Sequence, residues 1–481
     1  RIIKRTGLLP EYDELMKSVV LDTIILGHMR YSTNTISEKN CDSSSSFQSI
    51  QPLEICSKFG IYLAHNGNLP NLARNIKKLG LQSFLEGSQT SDTFLFKAIW
   101  DKMTGASICD ISWFLVVEYI KNVVKSVVGA YACVMTFRDD RQSAGITTPD
   151  SASSSGMFSS LESWNETSDS SISENTDIEI PSNYNHYLFG FRDRMGYKPL
   201  SIGYLAGNFC FISESVQLGT SGKLVCDVAP GEIWMIKNNE APIRLANMKD
   251  DGVIVASRPF VCSMESIYFM RSESVVFGGT SSIHNFRRRI GMELGKAEKA
   301  ISKDSVIAFV PESARSMAEG FAEAMGKTAC AGLIVKIENV RSFIENNDES
   351  RIGKLKRKFA FNIEDIKKIR ELVLIDDSVV RGNTMRYLIQ ILYEINSDLR
   401  IHLRIGSPPL VKGCNFGIDL YDDELIASKI GIHNLASYFN VASIEFLNLK
   451  TLDNLYAEFG MSNCKWCFGE QDTNTASTME W

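Results

Sequence analysis

The sequence predicts a two-part chain of α/β and α+β class, and three observations predict it. Strand-like runs dominate residues 1–250, a Ser-rich polar stretch interrupts them, and after about residue 255 strands alternate with helices. Alternation of that kind marks a doubly wound parallel sheet.

The first part holds strand-like Thr23-Ile-Ile-Leu-Gly27 and Gly60-Ile-Tyr-Leu-Ala64, a helix around Asp92 to Trp100, and a strand from Ala130 to Phe137. Residues 138–183 break the pattern. Twelve serines between Ser143 and Ser173, mixed with Asp, Glu, Asn and Thr, bury too little apolar surface to offset an ordering entropy of about 1–2 kcal/mol per residue. A disordered insertion is expected there. Its flanks, Val134-Met-Thr-Phe137 and Tyr187-Leu-Phe-Gly-Phe191, read as neighbouring strands of one sheet, and strands continue to about Ile243.

In the second part, residues 251–450, Val306 to Val310 reads as a strand. Ser313 is placed to cap the helix in which Met317, Phe321 and Met325 recur every four residues. Leu372 to Ile375 and His402 to Ile405 add strands, and residues 451–481 form a tail. Leu372 to Ile375 is apolar without alternation, as a strand buried on both faces should be, and Leu388, Ile391, Leu392 and Ile395 then recur at helical spacing.

Between that strand and that helix lies Asp376-Asp-Ser-Val-Val-Arg-Gly-Asn-Thr384, which reads as a sugar-phosphate cradle. Open α/β sheets bind ligands at this position, and a helix start offers unpaired N–H groups and a favourable dipole to a phosphate. Ser378, Val379, Val380, Arg381, Gly382, Asn383 and Thr384 would grip the phosphate, with Gly382 letting the backbone approach closely. Asp376 and Asp377 suit the 2- and 3-hydroxyls of a ribose, directly or through Mg2+. The bland alternative is a surface loop carrying two solvated acids.

Composition bounds the rest. A chain of 481 residues with 44% hydrophobic content is long enough for two or three domains. Net charge is −6 with acids and bases intermixed, so neither nucleic acid nor a membrane surface is an expected partner. No uninterrupted apolar run approaches the roughly 18 residues of a membrane span. Most of the eleven cysteines lie singly in apolar surroundings, as Cys133 and Cys210 do. Those read as reduced core residues, and the odd total fits a cytoplasmic location better than a disulfide framework. The chain begins Arg1-Ile-Ile-Lys-Arg-Thr rather than with Met, so a fragment or a processed product is expected.

A family resemblance then becomes specific. Gly27-His-Met-Arg-Tyr-Ser-Thr33, Ala64-His-Asn-Gly-Asn-Leu69, Ser91-Asp92, Gly129-Ala-Tyr131, Arg192-Asp-Arg-Met-Gly-Tyr-Lys-Pro-Leu200, Ser213-Glu-Ser215 and Pro230-Gly-Glu232 follow in the order seen in class II glutamine amidotransferases. The second half adds Val310-Pro-Glu-Ser313, the Asp-Asp loop and Arg404-Ile-Gly-Ser-Pro-Pro409. Together they resemble the glutamine phosphoribosylpyrophosphate amidotransferases, and the match covers nearly all of the chain except the Ser-rich insert.

The resemblance implies an N-terminal-nucleophile glutaminase domain, an αββα sandwich, followed by a type I phosphoribosyltransferase domain. It also implies homo-oligomers inhibited by purine nucleotides, and ammonia passing internally from glutamine to phosphoribosyl pyrophosphate in the first step of purine synthesis. By position, Arg30 would hold the glutamine α-carboxylate and Asp92 its α-amino group, charges that suit those tasks. Asn66 and Gly67 would form the oxyanion hole, each donor worth about 3 kcal/mol in a transition state. Taken alone, Arg30 could be a surface ion pair and Asn66-Gly67 a hairpin turn. The family's nucleophile is a mature N-terminal cysteine, and a chain that starts at Arg1 is expected not to hydrolyse glutamine as written. Robust glutaminase activity from this polypeptide would refute that.

In the second domain Ser313, Asp376 and Asp377 match the family's Mg2+ positions, and one hydroxyl with two carboxylates is a set Mg2+ accepts. The segment Lys336-Ile-Glu-Asn-Val-Arg-Ser-Phe-Ile344 is less basic than the family's closing loop, and Arg341 is its candidate phosphate contact. Cys262, Cys414, Cys464 and Cys467 fill the four positions at which one branch of the family carries a [4Fe–4S] cluster, with zinc the rival. Such a cluster would staple the tail to the domain interface. Two other classes share parts of this pattern. A phosphoribosyl-pyrophosphate-binding regulator would carry a DNA-binding segment, and nothing basic or helix-turn-helix-like is found. Glucosamine-6-phosphate synthase and asparagine synthetase share the first half, but the Asp376 to Thr384 loop speaks against both.

Overall fold

The computed structural model describes residues 24–28, 51–69, 72–84, 92–105, 110–139, 185–253, 260–276, 278–279, 281–337, 358–418 and 420–470. In the first part, β1 (Leu53–Cys56), β2 (Ile61–Asn68), β3 (Ala130–Asp139) and β4 (Asn185–Arg192) pair antiparallel in chain order. The six-stranded sheet is completed by β8 (Glu232–Lys237) and β9 (Ile243–Asn247). A three-stranded antiparallel sheet is built from β5 (Ser201–Leu205), β6 (Asn208–Ile212) and β7 (Lys223–Asp227), in the order β6-β5-β7.

Alternation along β3 explains the layering. Tyr131, Cys133, Met135 and Phe137 point to one face, where they pack with Leu95, Phe96 and Ile99 of the helix Phe94–Thr104 and Val116, Ile120 and Val124 of the helix Trp113–Ser126. Ala132 and Val134 point to the other face, against Leu200, Ile202 and Val225. A helical layer, a large sheet and a small sheet therefore stack in that order, three of the four layers of the expected αββα sandwich. The insertion's flanks pair as the sequence predicts, with Val134 opposite Gly190 and Phe137 opposite Tyr187. Strand β3 runs two residues past Phe137, to Asp139. Residues 140–184 lie outside the described residues. Of the strand expected at Thr23 to Gly27, residues 24–27 are described and are not a strand.

The second part begins with β10 (Phe260–Cys262) and the small pair β11 (Val275–Val276) and β12 (Ser281–Ser282). A parallel sheet follows in the order β13 (Val306–Phe309), β16 (Glu371–Asp376), β17 (Arg400–Ile405), β18 (Ser443–Phe446). Every residue of β16 is buried. Val373 and Ile375 face the helices Ile283–Ala297, Arg315–Ala324 and Leu449–Glu458, whereas Leu372 and Leu374 face Leu388 and Leu392 of the helix Asn383–Ile395. Unalternating apolarity in this strand is thus the signature of a sheet covered on both faces. Beside the sheet, β14 (Ile334–Lys336) and β15 (Phe359–Phe361) pair antiparallel, and the tail returns as β19 (Ser462–Cys464), parallel to β10.

Candidate active sites and a thiol centre

Strand β16 ends where the acids begin. Asp376 is 8% exposed and Asp377 3%, so neither is a solvated surface acid. The Asp377 amide donates to Asp376 Oδ1 at 2.9 Å, and Ser378 Oγ donates to Asp377 Oδ1 at 2.6 Å. Burial pushes both carboxyls above the ordinary carboxylate range, and the charge of Asp377 raises Asp376 further. Two cations face the pair. The charge of Arg287 lowers Asp377, and that of Lys358, at the start of the β15 segment, lowers Asp376.

Ser313 does not cap the following helix. Ala314 stands at the helix N-cap without a side-chain bond, and the Ser313 hydroxyl instead acts on Asp377, whose carboxyl it lowers. A buried carboxylate holds a hydroxyl more strongly than a partly solvated helix amide does. Ser313, Asp376 and Asp377 are therefore brought together. They offer oxygen donors only, and two adjacent buried carboxylates with raised affinity for a proton are short of positive charge. That donor set fits Mg2+.

The loop from Ser378 to Thr384 is held from outside. Gly382 has φ +72°, and a Cβ there would meet the Phe439 ring at 2.9 Å, so the turn into the helix Asn383–Ile395 requires glycine. Arg381 pairs with Glu424 and Val380 accepts from the Ile426 amide at 2.9 Å. Arg381 is thus committed to scaffold, while the amides of the first helical turn have no acceptor within the helix. Lys336 ends β14; Arg341 lies outside the described residues, as does Arg30.

In the first domain Asn66 and Gly67 are not a hairpin turn. Both sit inside β2, opposite Ala132 and Tyr131. Gly67 has φ +150°, and a Cβ there would lie 2.0 Å from the Ala130 carbonyl oxygen, so two strands approach where no side chain fits. Asp92 Oδ2 accepts the Leu69 amide at 3.0 Å, which docks it against the end of the same strand. Gln51, a residue the motif reading passed over, joins the two. Its amide accepts from His65 N at 2.6 Å, donates to His65 O at 3.1 Å and reaches Thr93 Oγ1 at 3.4 Å. The Arg192 to Leu200 motif is architectural: buried Asp193 accepts from the amides of Met195, Gly196, Tyr131 and Tyr197.

The four cysteines converge although they lie in three widely separated segments of the chain. Pairing of β10 with β19 sets Cys262 opposite Cys464, and the Val411 amide, near Cys414, donates to Cys467 O at 2.9 Å. All four line one cavity with Tyr197, Lys198, Phe416, Gly417, Ile418 and Trp466. Burial pushes every thiol up, Cys262 to about 12. The Phe416 amide nevertheless donates to Cys414 Sγ at 3.4 Å, and the backbone amides of Trp466 and Glu265 hold the Cys464 and Cys262 thiols lower than burial alone would. Sulfur donors, apolar walls and N–H groups aimed at sulfur fit an iron–sulfur group. Among the described residues no group of three or more His, Cys, Asp or Glu side chains is arranged to hold a metal ion. The cavity they line is narrow, with room for about one water. Cys133 is a buried core thiol as expected, whereas Cys210 is half-buried and bonds Gly203 O.

A sheet sandwich joined to a doubly wound parallel sheet, with a carboxylate pair at the strand tip, defines a two-domain α/β transferase of the amidotransferase class. No family model matches the chain. The amidophosphoribosyltransferase of Pyrococcus horikoshii is 30% identical over 429 residues, covering 88% of this chain and 77% of that protein. The Archaeoglobus fulgidus enzyme of the same name is 28% identical over 432 residues, 89% and 78% of the two chains. The chain belongs to the amidophosphoribosyltransferase family. Its fold is shared by a glutamine phosphoribosylpyrophosphate amidotransferase from B. subtilis complexed with ADP and GMP, at a TM-score of 0.65 and 23% identity, over 93% of this chain and 82% of that one. Another solved structure, of the allosteric regulatory enzyme of purine biosynthesis, matches at 0.63 and 24%, over 89% and 79%. No helix among the described residues is long and apolar enough to cross a membrane.

Proposed function

We propose that this chain transfers ammonia to 5-phosphoribosyl 1-pyrophosphate, giving 5-phosphoribosylamine, the first step of purine synthesis. The buried pair Asp376 and Asp377 at the tip of β16 is the observation that carries the reading. Mg2+, when bound by these carboxylates and Ser313, supplies screening of the departing pyrophosphate charge. The residues do the positioning. Asp376 and Asp377 orient the ribose, and the amides from Ser378 to Thr384 hold its 5-phosphate. The nitrogen lone pair of ammonia then forms the bond to C1 as the C1–O bond breaks; pyrophosphate leaves with the electron pair of the C1–O bond, and the ammonium product sheds a proton.

Lys358 beside Asp376 is placed to meet pyrophosphate, with Arg341 a second contact. In the first domain Arg30 and Asp92 hold glutamine, and Asn66 and Gly67 stabilise the oxyanion. Purine nucleotides are the expected inhibitors, as ADP and GMP are ligands in the B. subtilis structure. The test is calorimetry with phosphoribosyl pyrophosphate and Mg2+, beside ammonia-dependent pyrophosphate release. Folded protein that takes up none of this substrate would sink the reading.

For the thiol centre the reading is a [4Fe–4S] cluster on Cys262, Cys414, Cys464 and Cys467, supported by the four buried sulfurs around one cavity. Anaerobically purified protein is expected to hold iron and acid-labile sulfide in equal amounts. Cys464→Ser should lose both and free the tail, seen as faster proteolysis after residue 450. Stoichiometric zinc without sulfide would overturn the assignment.

A further inference from the structure

The wall of the thiol cavity contains three polar side chains, and two of them are committed. Lys198 Nζ sits 2.5 Å from Glu265 Oε1, and Trp466 Nε1 donates to Gly413 O at 2.8 Å. The third is Tyr197. Its side chain is 3% exposed, and its hydroxyl has no hydrogen-bond partner among the described residues. Buried tyrosine hydroxyls normally find one.

The ring cannot turn away to seek another. Phe416 stacks on it with centroids 4.7 Å apart and planes at 20°, and Phe260 meets it edge-on at 5.5 Å and 83°. The Tyr197 amide is tied to Asp193 Oδ2 at 3.2 Å. Packing alone would be served equally by phenylalanine, which has the same ring and leaves no orphaned group. The hydroxyl therefore calls for an acceptor that belongs in this cavity.

We propose that the Tyr197 hydroxyl donates a hydrogen bond to a sulfur, thiolate or sulfide, of the group held by Cys262, Cys414, Cys464 and Cys467. The inference rests on the iron–sulfur reading of that centre and goes beyond it. It makes a residue of the first domain a tuning element for ligands that all come from the second domain and the tail. A donor to sulfur draws electron density from the cluster and favours its reduced, more negative state. Removing the donor should lower the reduction potential without changing the ligand set.

The test compares the cluster-loaded protein with its Tyr197→Phe variant, both purified without oxygen. Iron and sulfide contents are expected to be equal, because the ring contacts survive. A redox titration followed by electron paramagnetic resonance is expected to give a lower midpoint potential for the variant. The iron–sulfur vibrational bands of the parent should shift on transfer from H2O to D2O by more than those of the variant. Equal potentials with equal deuterium shifts would overturn the proposal and leave the cluster intact. A variant that folds but loads no iron would also overturn it, since the hydroxyl would then act in assembly. Iron and sulfide absent from the parent itself would remove the cluster reading and this inference together.

Discussion

Asp376→Asn is expected to lower ammonia-dependent phosphoribosylamine formation by at least about 100-fold, a loss typical of removing a charge that binds the transition state. The same change should stabilise the ligand-free protein. Two buried carboxylates share one strand tip, each raised by burial and Asp376 raised further by its neighbour, so the folded state resists ionising both. The sign follows from linkage. A carboxyl whose folded pKa is raised contributes stability fully present below the ordinary carboxylate range and lost as pH rises through the raised value. At neutral pH the metal-free parent is therefore penalised, and the asparagine relieves that penalty, read as a higher melting temperature.

Thermal melts from pH 4 to pH 8 with and without Mg2+ measure this directly. The stability of the parent should fall with rising pH more steeply than that of the variant, and Mg2+ should restore the parent alone. Near-normal transfer by Asp376→Asn would remove these acids from the mechanism. A variant no more stable than its parent at neutral pH would show that the pair is not a burden on the fold.

The second large effect concerns stability alone. The helices Ile283–Ala297 and Arg315–Ala324 cross so closely that a Cβ on Gly291 would lie 1.8 Å from the Met317 carbonyl oxygen, and one on Gly320 1.8 Å from that of Arg288. Backbone cannot yield as a side-chain tip does, so the helices must separate. Gly320→Ala is expected to destabilise the protein by about 3 kcal/mol or more, at the upper end of overpacking costs. Gly332→Ala is the control, since nothing lies within 4 Å of its Cβ position. Urea unfolding measures both. A Gly320→Ala midpoint equal to that of Gly332→Ala would contradict the close crossing. Activity should follow stability, because the first helix carries Arg287 and Ser313 precedes the second.

These glycines were not legible in the sequence. A glycine inside a helical run only weakens the expected helix, and the partner backbone that demands it is remote. The same holds for Ser313, which reads locally as a cap and is claimed by Asp377 across the sheet. Asn66-Gly67 has the local signature of a turn and is drawn into a strand by Ala132 and Tyr131. Lys358 and Gln51 carried no signal, because each acts through a residue far away in the chain, and Tyr197, although inside the Arg192 to Leu200 motif, carried none for the thiol cavity.

What the sequence determined by itself is whatever depends on near neighbours. The unbroken apolar run of β16, the helical recurrence of Leu388 and Leu392, and the acids placed between them dictate a buried strand, a helix and a binding tip, since periodicity and backbone preference act over a few residues. The resemblance grouped the cysteines, and Ser313 with Asp377, but tertiary structure brings distant residues together: Cys262 faces Cys464 only because β10 and β19 pair, and Ser313 and Arg287 act on Asp377 only because β16 packs between other elements. Burial and electrostatic fields arise from proximity in space, and that proximity exists only once the chain has closed on itself.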